Sequence, residues 1–194
     1  MFVSMDEQIL NLGMTMGPME FFLLALVGKV GLKSLYDLRQ QAGLEPGGIR
    51  SAMKTLEDNR LVSRSDPGKR RRRDLVVTAL GRAFLDRSWQ HCLRKYPDGE
   101  AVLRSAMVAW VMDGPGAAAT YLVDVSHSRL QGAQQMNKDA QHLKNSQNGP
   151  LSGYVWMRIS NEAHRRGAES EAFQSISRFL FEEYFDKNAE NVGQ

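Results

Sequence analysis

Apolar residues in the N-terminal third of the chain recur at helical spacing, in short segments separated by glycine and proline. The first segment begins at Gly17-Pro18, since proline at the first helical position loses no hydrogen bond, and Gly28 can end it. Its apolar residues lie at positions i, i+3, i+4 and i+7, which predicts one buried face: Met19, Phe22, Leu23 and Leu26. Residues 1–14 lack such a stripe and are predicted as an arm or a short helix.

Two more short helices are predicted directly after this one. The second runs from Ser34, a good N-cap, to Ala42, and Gly43 suits the left-handed conformation at its end. The third begins near Pro46, ends near Asn59 and has a four-residue buried stripe: Ile49, Ala52, Met53 and Leu56. Two short helices around a tight turn are typical of a helix-turn-helix.

A basic β-hairpin is predicted after the third helix. Residues 61–64 and 74–78 are rich in β-branched side chains, which indicates two strands. Between them, the turn Asp66-Pro67-Gly68 leads into five consecutive cations: Lys69, Arg70, Arg71, Arg72 and Arg73. Because like charges repel one another, such a run is useful only against a polyanion. A helix-turn-helix followed by a basic hairpin is typical of a winged helix, whose usual partner is duplex DNA.

The C-terminal half has the pattern of a nearly all-helical domain. Thr78 can cap a fourth helix that Pro97 stops, and Asp98 can cap a fifth. The fifth helix shows a wide apolar face, formed by these residues: Leu103, Ala106, Met107, Trp110 and Val111. A turn at residues 114–116 precedes a long, more polar helix over 117–144.

A last helix is predicted over residues 151–188, with a bend at Gly167. Leu122, Val125, Met136 and Leu143 share a face of the preceding helix. The shared apolar face of the last helix is larger: Phe173, Ile176, Leu180 and Tyr184, widened by Phe179, Phe181 and Phe185. The predicted fold is therefore mainly α with a small β-hairpin wing: an N-terminal winged helix-turn-helix plus a C-terminal helical dimerisation domain.

Charge is unevenly divided along the chain. Residues 1–96 carry 16 Lys and Arg against 10 Asp and Glu, whereas residues 97–194 carry 9 against 12. We therefore expect a DNA-binding domain over 1–96 and a helical dimerisation or effector domain over 97–194. The single cysteine, Cys92, fits a reducing compartment. Apolar runs are too short to cross a bilayer, so a cytoplasmic protein without a membrane partner is expected.

The candidate DNA-contacting residues lie at the start of the third helix and on the hairpin. A recognition helix presents its early exposed residues to base edges, and here those are Gly47, Gly48, Arg50, Ser51 and Lys54. Arginine can contact guanine through two hydrogen bonds, whereas the hairpin cations are expected to contact phosphates. A surface helix with solvated Arg and Lys has the same pattern, and the basic hairpin makes DNA the better interpretation.

The order of these elements resembles the PadR-type transcriptional regulators. The segment Gly17-Pro18-Met19-Glu20-Phe21-Phe22-Leu23-Leu24-Ala25-Leu26 is similar to the family's first helix. Residues 43–62, from Gly43-Leu44-Glu45-Pro46 to Asn59-Arg60-Leu61-Val62, are similar to its turn, recognition helix and first wing strand. Residues 68–73 and Val77-Thr78-Ala79-Leu80-Gly81-Arg82 resemble its wing and the start of the following helix.

The resemblance implies a homodimer that binds double-stranded DNA, usually as a repressor and sometimes with release by a small ligand. The family's recognition helix usually carries Ser or Thr and then Tyr and Pro; those positions here hold Gly48, Arg50 and Ser51, which changes the expected operator. MarR-type regulators share a similar order of elements and remain an alternative with the same function. A small aromatic or hydrophobic effector beside Trp89 is a further expectation, although helical aromatics more often build cores.

Other chemistry is not expected from the sequence. Cys92 and His91 supply too few ligands for a metal, and adjacent helical residues point about 100° apart. We found no motif of nucleophilic, acid–base or phosphate-loop chemistry, so neither an enzyme nor a cofactor is expected. Two alternatives remain: a winged-helix adaptor that binds an acidic protein, and a non-specific architectural DNA binder.

Overall fold

The computed structural model describes the backbone of residues 5–65, 74–94, 96, 98–145 and 150–192. This part of the chain is mainly helical, with one two-stranded antiparallel sheet. The elements in chain order are α1 (Met5–Thr15), α2 (Pro18–Ala25), a π-helical turn (Leu26–Val30), α3 (Leu35–Ala42), α4 (Pro46–Asp58), β1 (Val62–Arg64), β2 (Leu75–Val77), α5 (Ala79–Ser88), a 3₁₀ turn (Trp89–Cys92), α6 (Gly99–Asp113), α7 (Pro115–Asn145) and α8 (Pro150–Val192).

The chain divides into two compact units, with the boundary between Ala118 and Ala119. The change of charge along the sequence suggested a division after residue 96. Helix α6 lies beyond that point, yet it belongs to the first unit, where it packs against α2. The first unit therefore contains α1 to α6 and the sheet, and the second contains most of α7 and all of α8.

Helix α2 is the centre of the first unit. Phe21, Leu23 and Leu24 have no exposed surface, and the Phe21 ring stacks on that of Phe84 in α5 with centroids 5.1 Å apart. The predicted end of this helix at Gly28 is wrong, because the chain continues through the π-helical turn. It stops at Gly31, whose φ of 83° is left-handed, and the Leu32 N–H donates to the Leu26 carbonyl at 3.1 Å.

The region predicted as an arm or a short helix is the helix α1, which packs against α5. Ile9 is buried there. Gly13 lies against α5 and the 3₁₀ turn, since a methyl group at this position would come within 3.0 Å of the His91 ring. One buried apolar residue and one glycine contact are a weaker signal than a four-residue stripe, which explains why periodicity alone left the helix undecided.

The local signals of α3 and α4 are confirmed. The Ser34 side chain accepts a hydrogen bond from the Asp37 N–H at 3.1 Å, and Gly43 has a φ of 61°. The predicted stripe of α4 is buried along its whole length: Ile49, Ala52, Met53 and Leu56. This stripe packs across α2. The segment around residues 34–58 therefore contains the two short helices and the intervening turn that its caps and apolar spacing predict.

The end of α4 fixes where the hairpin begins. Arg60 is left-handed, with a φ of 59°, and the N–H of Leu61 donates to the Leu56 carbonyl at 2.9 Å. This is the hydrogen bond of a Schellman cap, and Leu56 and Leu61 supply its buried apolar pair. The Thr78 hydroxyl donates to the Arg60 carbonyl at 2.7 Å. The chain after β2 is thereby bonded to the end of α4.

The hairpin strands pair Val62 with Val77, Ser63 with Val76 and Arg64 with Leu75. Thr78 caps α5, its hydroxyl accepting from the Gly81 N–H at 3.0 Å. Gly81 packs directly on the chain before β1: a methyl group there would lie 2.0 Å from the Leu61 carbonyl oxygen. The predicted fourth helix ends earlier than Tyr96, because Ser88 has a φ of −123° and a 3₁₀ turn follows.

The apolar face predicted for α6 is buried only in part. The Asp98 cap is confirmed, its carboxylate accepting from the Ala101 N–H at 3.2 Å. Of the predicted face, Ala106 is buried, Trp110 and Val111 are half-buried, and Leu103 and Met107 are exposed. The buried residues of α6 are mostly small: Ala101, Val102, Ser105, Ala106, Val108 and Ala109. Apolar residues surround this helix, so periodicity gives no clear direction. The small residues decide the outcome because they allow a close approach to α2.

In the second unit α7 and α8 pack side by side. Leu122 and Val125 are buried as predicted, and Met136 and Leu143 are half-buried. Helix α8 continues through Gly167, where a bend was predicted. Within the predicted apolar face of α8, Phe173 and Leu180 are buried, whereas Ile176 and Phe179 are exposed. The predicted contribution of Tyr184 and Phe185 lies outside the described side chains.

Candidate nucleic-acid interface

The five candidate residues of α4 share one exposed face. Gly47, Gly48, Arg50, Ser51 and Lys54 are all exposed, on the side of the helix opposite its buried stripe. They occupy the first two and a half turns of α4, because the helix begins at Pro46. The sequence thus predicted this exposed surface, and the structure brings all five residues together on one exposed face of α4.

The two glycines leave the exposed face at the start of α4 without side chains. Nothing lies within 4 Å of where a Gly47 methyl group would be, and a Gly48 methyl group would meet only the Met19 Cε of α2, at 3.3 Å. A surface without side chains lets another backbone or a base edge approach closely. Arg50 and Lys54 are the two long side chains of this face.

Helix α3 adds two residues that were not predicted as site residues, Tyr36 and Arg39. With Pro46 and Arg50 they border a depression of about 200 Å³ between α3 and the start of α4. Tyr36 is 66% exposed, which is unusual for so large an aromatic ring. Sequence could have revealed Tyr36, because it lies outside the Leu35 and Leu38 stripe of α3.

The cations of this surface have no ion-pair partner among the residues that the structure describes. Within the described part of the chain, Arg39, Arg50 and Lys54 form no ion pair with a carboxylate. Arg64 of β1, in contrast, pairs with Glu57 at 2.8 Å. Among the described residues, the cations without an ion pair therefore lie on α3 and α4, whereas the cation of β1 is paired.

The five hairpin cations Lys69, Arg70, Arg71, Arg72 and Arg73 lie outside the described residues. The structure does describe the two ends of the segment that carries them. The Ser65 N–H donates to the Asp74 carbonyl at 2.8 Å, and the Asp74 N–H donates to the Ser65 hydroxyl at 2.9 Å. The Leu75 N–H also donates to the Lys33 carbonyl, at 2.8 Å. The basic segment is thus attached to a stem bonded to both sides of the helix-turn-helix.

Trp89, the candidate residue for an effector pocket, lies in the 3₁₀ turn. It is half-buried and packs against the apolar core of the first unit. The described depressions do not include it in their walls. Cys92, three residues later, is buried, and burial raises the pKa of its thiol to about 12, partly offset by the Ser105 hydroxyl. The thiol therefore stays protonated at neutral pH, which makes it a poor nucleophile.

A groove of about 780 Å³ on the second unit is the most spacious of the described depressions. It lies along α7 and α8, and its walls include both charges, among them Arg178 and Glu182. Phe181 and Val123 supply apolar surface, and His127 is exposed beside them. The mixture of opposite charges does not select a particular ligand.

Comparisons with protein-family models, with curated proteins and with solved structures find no match to this chain. Within the described residues, His, Cys, Asp and Glu nowhere gather in groups of three or more that could hold a metal ion. None of the described helices has the length and apolar content needed to cross a bilayer. What the chain does is therefore inferred from its own surface.

Proposed function

We propose that this protein is a sequence-specific regulator of transcription that binds double-stranded DNA through a winged helix-turn-helix, as a PadR-like homodimer in the cytoplasm. The observation that carries the proposal is one surface: the glycine-lined, cationic face of α4 beside a firmly bonded hairpin stem. The segment on that stem contains five consecutive cations. Helix face and hairpin are the two parts with which winged helices contact a groove and its flanking phosphates.

The α4 face and the hairpin are expected to make different contacts with DNA because their side chains differ. Arg50 lies near the start of α4, where its guanidinium can make a bidentate contact with guanine. Tyr36 and Arg39 on α3 can contact the phosphates beside that groove. The hairpin cations supply charge, which raises affinity for every sequence and makes binding depend strongly on salt. Regulation requires a preference among sequences, so Arg50 is the residue on which specificity depends most.

A homodimer is supported by apolar surface that the described residues leave uncovered. Phe179 is 62% exposed and Met157 is 56% exposed on α8, and Leu103 and Met107 are exposed on α6. A pair of long helices buries only the faces that meet, so its outer faces need a partner when they carry large apolar side chains. Two copies of the chain would present two recognition helices to related half-sites.

Repression and release by a small effector belong to the proposal through the resemblance to PadR-type regulators. A bound dimer over a promoter excludes other proteins without any additional surface, which makes repression the simpler outcome. Trp89, half-buried against the core of the first unit, remains the residue proposed beside an aromatic effector.

Selection from fragments of the source genome tests the proposal directly. Purified protein would be mixed with the fragments at about 0.15 M salt, and the retained DNA sequenced. We expect enrichment of a few short sites with two-fold symmetry. Uniform retention would instead favour an architectural DNA binder, and no retention would favour an adaptor whose arginines bind an acidic protein.

A further inference from the structure

A cleft of about 250 Å³ lies at the base of the hairpin, between the π-helical turn and strand β2. Buried Val27, Leu75 and Val77 form its apolar walls, and Lys33 and Arg82 stand beside them as exposed cations. The cleft lies entirely within the first unit. None of the residues that line it belongs to α4.

Glycines hold this cleft open. A π-helical turn is rare and is frequently found at functional sites. Here Gly28 in the turn faces β2, and a methyl group at this position would come within 3.2 Å of the Val77 Cγ2. Gly31 ends the turn with a φ of 83°, and nothing lies within 4 Å of where its methyl group would be. Larger side chains at either position would fill or distort the space.

The charge of the cleft has one sign. Its walls contain Lys33 and Arg82 but no Asp or Glu. Lys33 has no carboxylate partner within the described residues, and Arg82 uses one guanidinium donor on the Val77 carbonyl at 2.8 Å. Lys29, on the same π-helical turn, is already paired with Asp86 at 2.8 Å. The uncompensated positive charge beside apolar walls therefore comes from Lys33 and Arg82.

We propose that this cleft binds a small amphipathic anion, a monocarboxylate with an apolar body. Its volume holds roughly eight non-hydrogen atoms at about 30 Å³ each, which is the size of hexanoate. The carboxylate would lie against Lys33 and Arg82, and the apolar body would cover Val27 and Leu75. Burial of the apolar body favours such a ligand over an inorganic anion, and the cations favour it over a neutral molecule.

The position of the cleft gives the ligand a route to the DNA-binding surface. Leu75, whose N–H is bonded to the Lys33 carbonyl, lies two residues after Arg73, the last of the hairpin cations. A ligand that changes the spacing between Lys33 and β2 acts on the attachment of that segment. This regulatory consequence rests on the proposed function, whereas binding of the anion does not. Linkage requires that DNA and the anion alter each other's affinity by the same factor.

The test is a titration of the full chain with hexanoate, followed by two-dimensional ¹H–¹⁵N NMR in the absence of DNA. We expect saturable shifts of the Gly28, Gly31 and Val76 amides with a dissociation constant near ~1 mM. Hexan-1-ol and sulfate should each bind at least tenfold more weakly, because one lacks the charge and the other the apolar body.

Two variants complete the test. Lys33→Met retains the apolar stem and should weaken hexanoate at least fivefold, whereas Lys54→Met on α4 should leave hexanoate binding unchanged. No saturable shift at the cleft, equal binding of sulfate and hexanoate, or equal effects of the two variants would each overturn the proposal. Because no DNA is present, these results are independent of whether the protein regulates transcription.

Discussion

The two compact units bury different kinds of side chains. The first is built around large apolar residues without exposed surface, such as Phe21, Leu24 and Phe84. The second has polar groups where α7 meets α8: the Ser170 hydroxyl donates to the Ser126 carbonyl at 3.0 Å, and Arg129 lies 3.3 Å from Glu169. Apolar packing is non-directional, whereas buried hydrogen bonds are satisfied in one register only.

This difference fits different tasks. A DNA-reading surface needs rigid support, which the apolar packing and the capped helices of the first unit provide. The second unit has a small-residue seam, in which Ala133 and Ala163 are buried, and it exposes large apolar side chains on its outer faces. Its helices are therefore held in register by polar contacts, while much of its apolar surface remains available for a second copy.

The largest loss of stability is expected from a substitution at Gly81, which contacts the backbone of Leu61 in the first unit. Gly81→Ala would place a methyl group 2.0 Å from the Leu61 carbonyl oxygen, so α5 must move away from the hairpin base. We expect a loss of at least about 3 kcal/mol in the free energy of unfolding, measured by urea denaturation.

Gly47→Ala is the matched control, because its methyl group meets nothing within 4 Å. It should be neutral or stabilising by about 0.5 kcal/mol. Equal stability of the two variants would contradict the packing of Gly81.

A smaller loss of stability is expected from a substitution among the polar side chains between α7 and α8 in the second unit. The Arg129 side chain is only 8% exposed, so Arg129→Met would leave Glu169 with one charged partner fewer in a largely dry site. We expect a cost of about 2 kcal/mol. Arg165→Met removes an arginine that also contacts Glu169, but this side chain is 47% exposed, and the cost should stay below about 0.5 kcal/mol.

Hydrogen exchange of α7 and α8 amides distinguishes these two arginines. Faster exchange along both helices is expected for Arg129→Met and not for Arg165→Met. If the two variants exchange alike, the buried ion pair does not fix the register of this helix pair.

The smallest effect is a pH dependence of the second unit. Hydrogen bonds from Arg165 and Arg166 lower the pKa of Glu162 from its ordinary value of 4.5 to about 2. As the pH falls, the unfolded chain binds this proton first, so the stabilisation is complete above about pH 4.5 and is lost towards pH 2. Glu162→Gln should flatten the stability curve in this window, as followed by urea denaturation. The group is mostly solvated, so the change should be small. An unchanged slope would contradict the lowered pKa.

Sequence alone was most informative where one signal dominated. The α4 stripe of Ile49, Ala52, Met53 and Leu56 was predictable because its other faces are polar, and the exposed candidate residues follow from it. Ser34, Gly43, Thr78 and Asp98 mark helix ends because each forms a local bond or a left-handed turn that few residue types permit.

Structural features that depend on contacts between distant parts of the chain could not be predicted from the sequence. The buried face of α6 is chosen by close approach to α2, and its apolar residues point in every direction. Within the π-helical turn, Gly28 lies close to Val77, about fifty residues later, and no local pattern contains this contact. Tyr36 and Arg39 join the candidate surface only when α3 and α4 are packed together.

The most direct measurement is DNA binding by two variants, on a selected site and on random duplex, over a range of salt concentrations. Replacing Arg70, Arg71, Arg72 and Arg73 by alanine should weaken binding to both duplexes and reduce the salt slope, because phosphate contacts carry no sequence preference. Arg50→Ala should instead cost about 1–3 kcal/mol on the selected site and little on random DNA. If both variants lost affinity equally on both duplexes, α4 would not read sequence, and the proposed regulator would be contradicted.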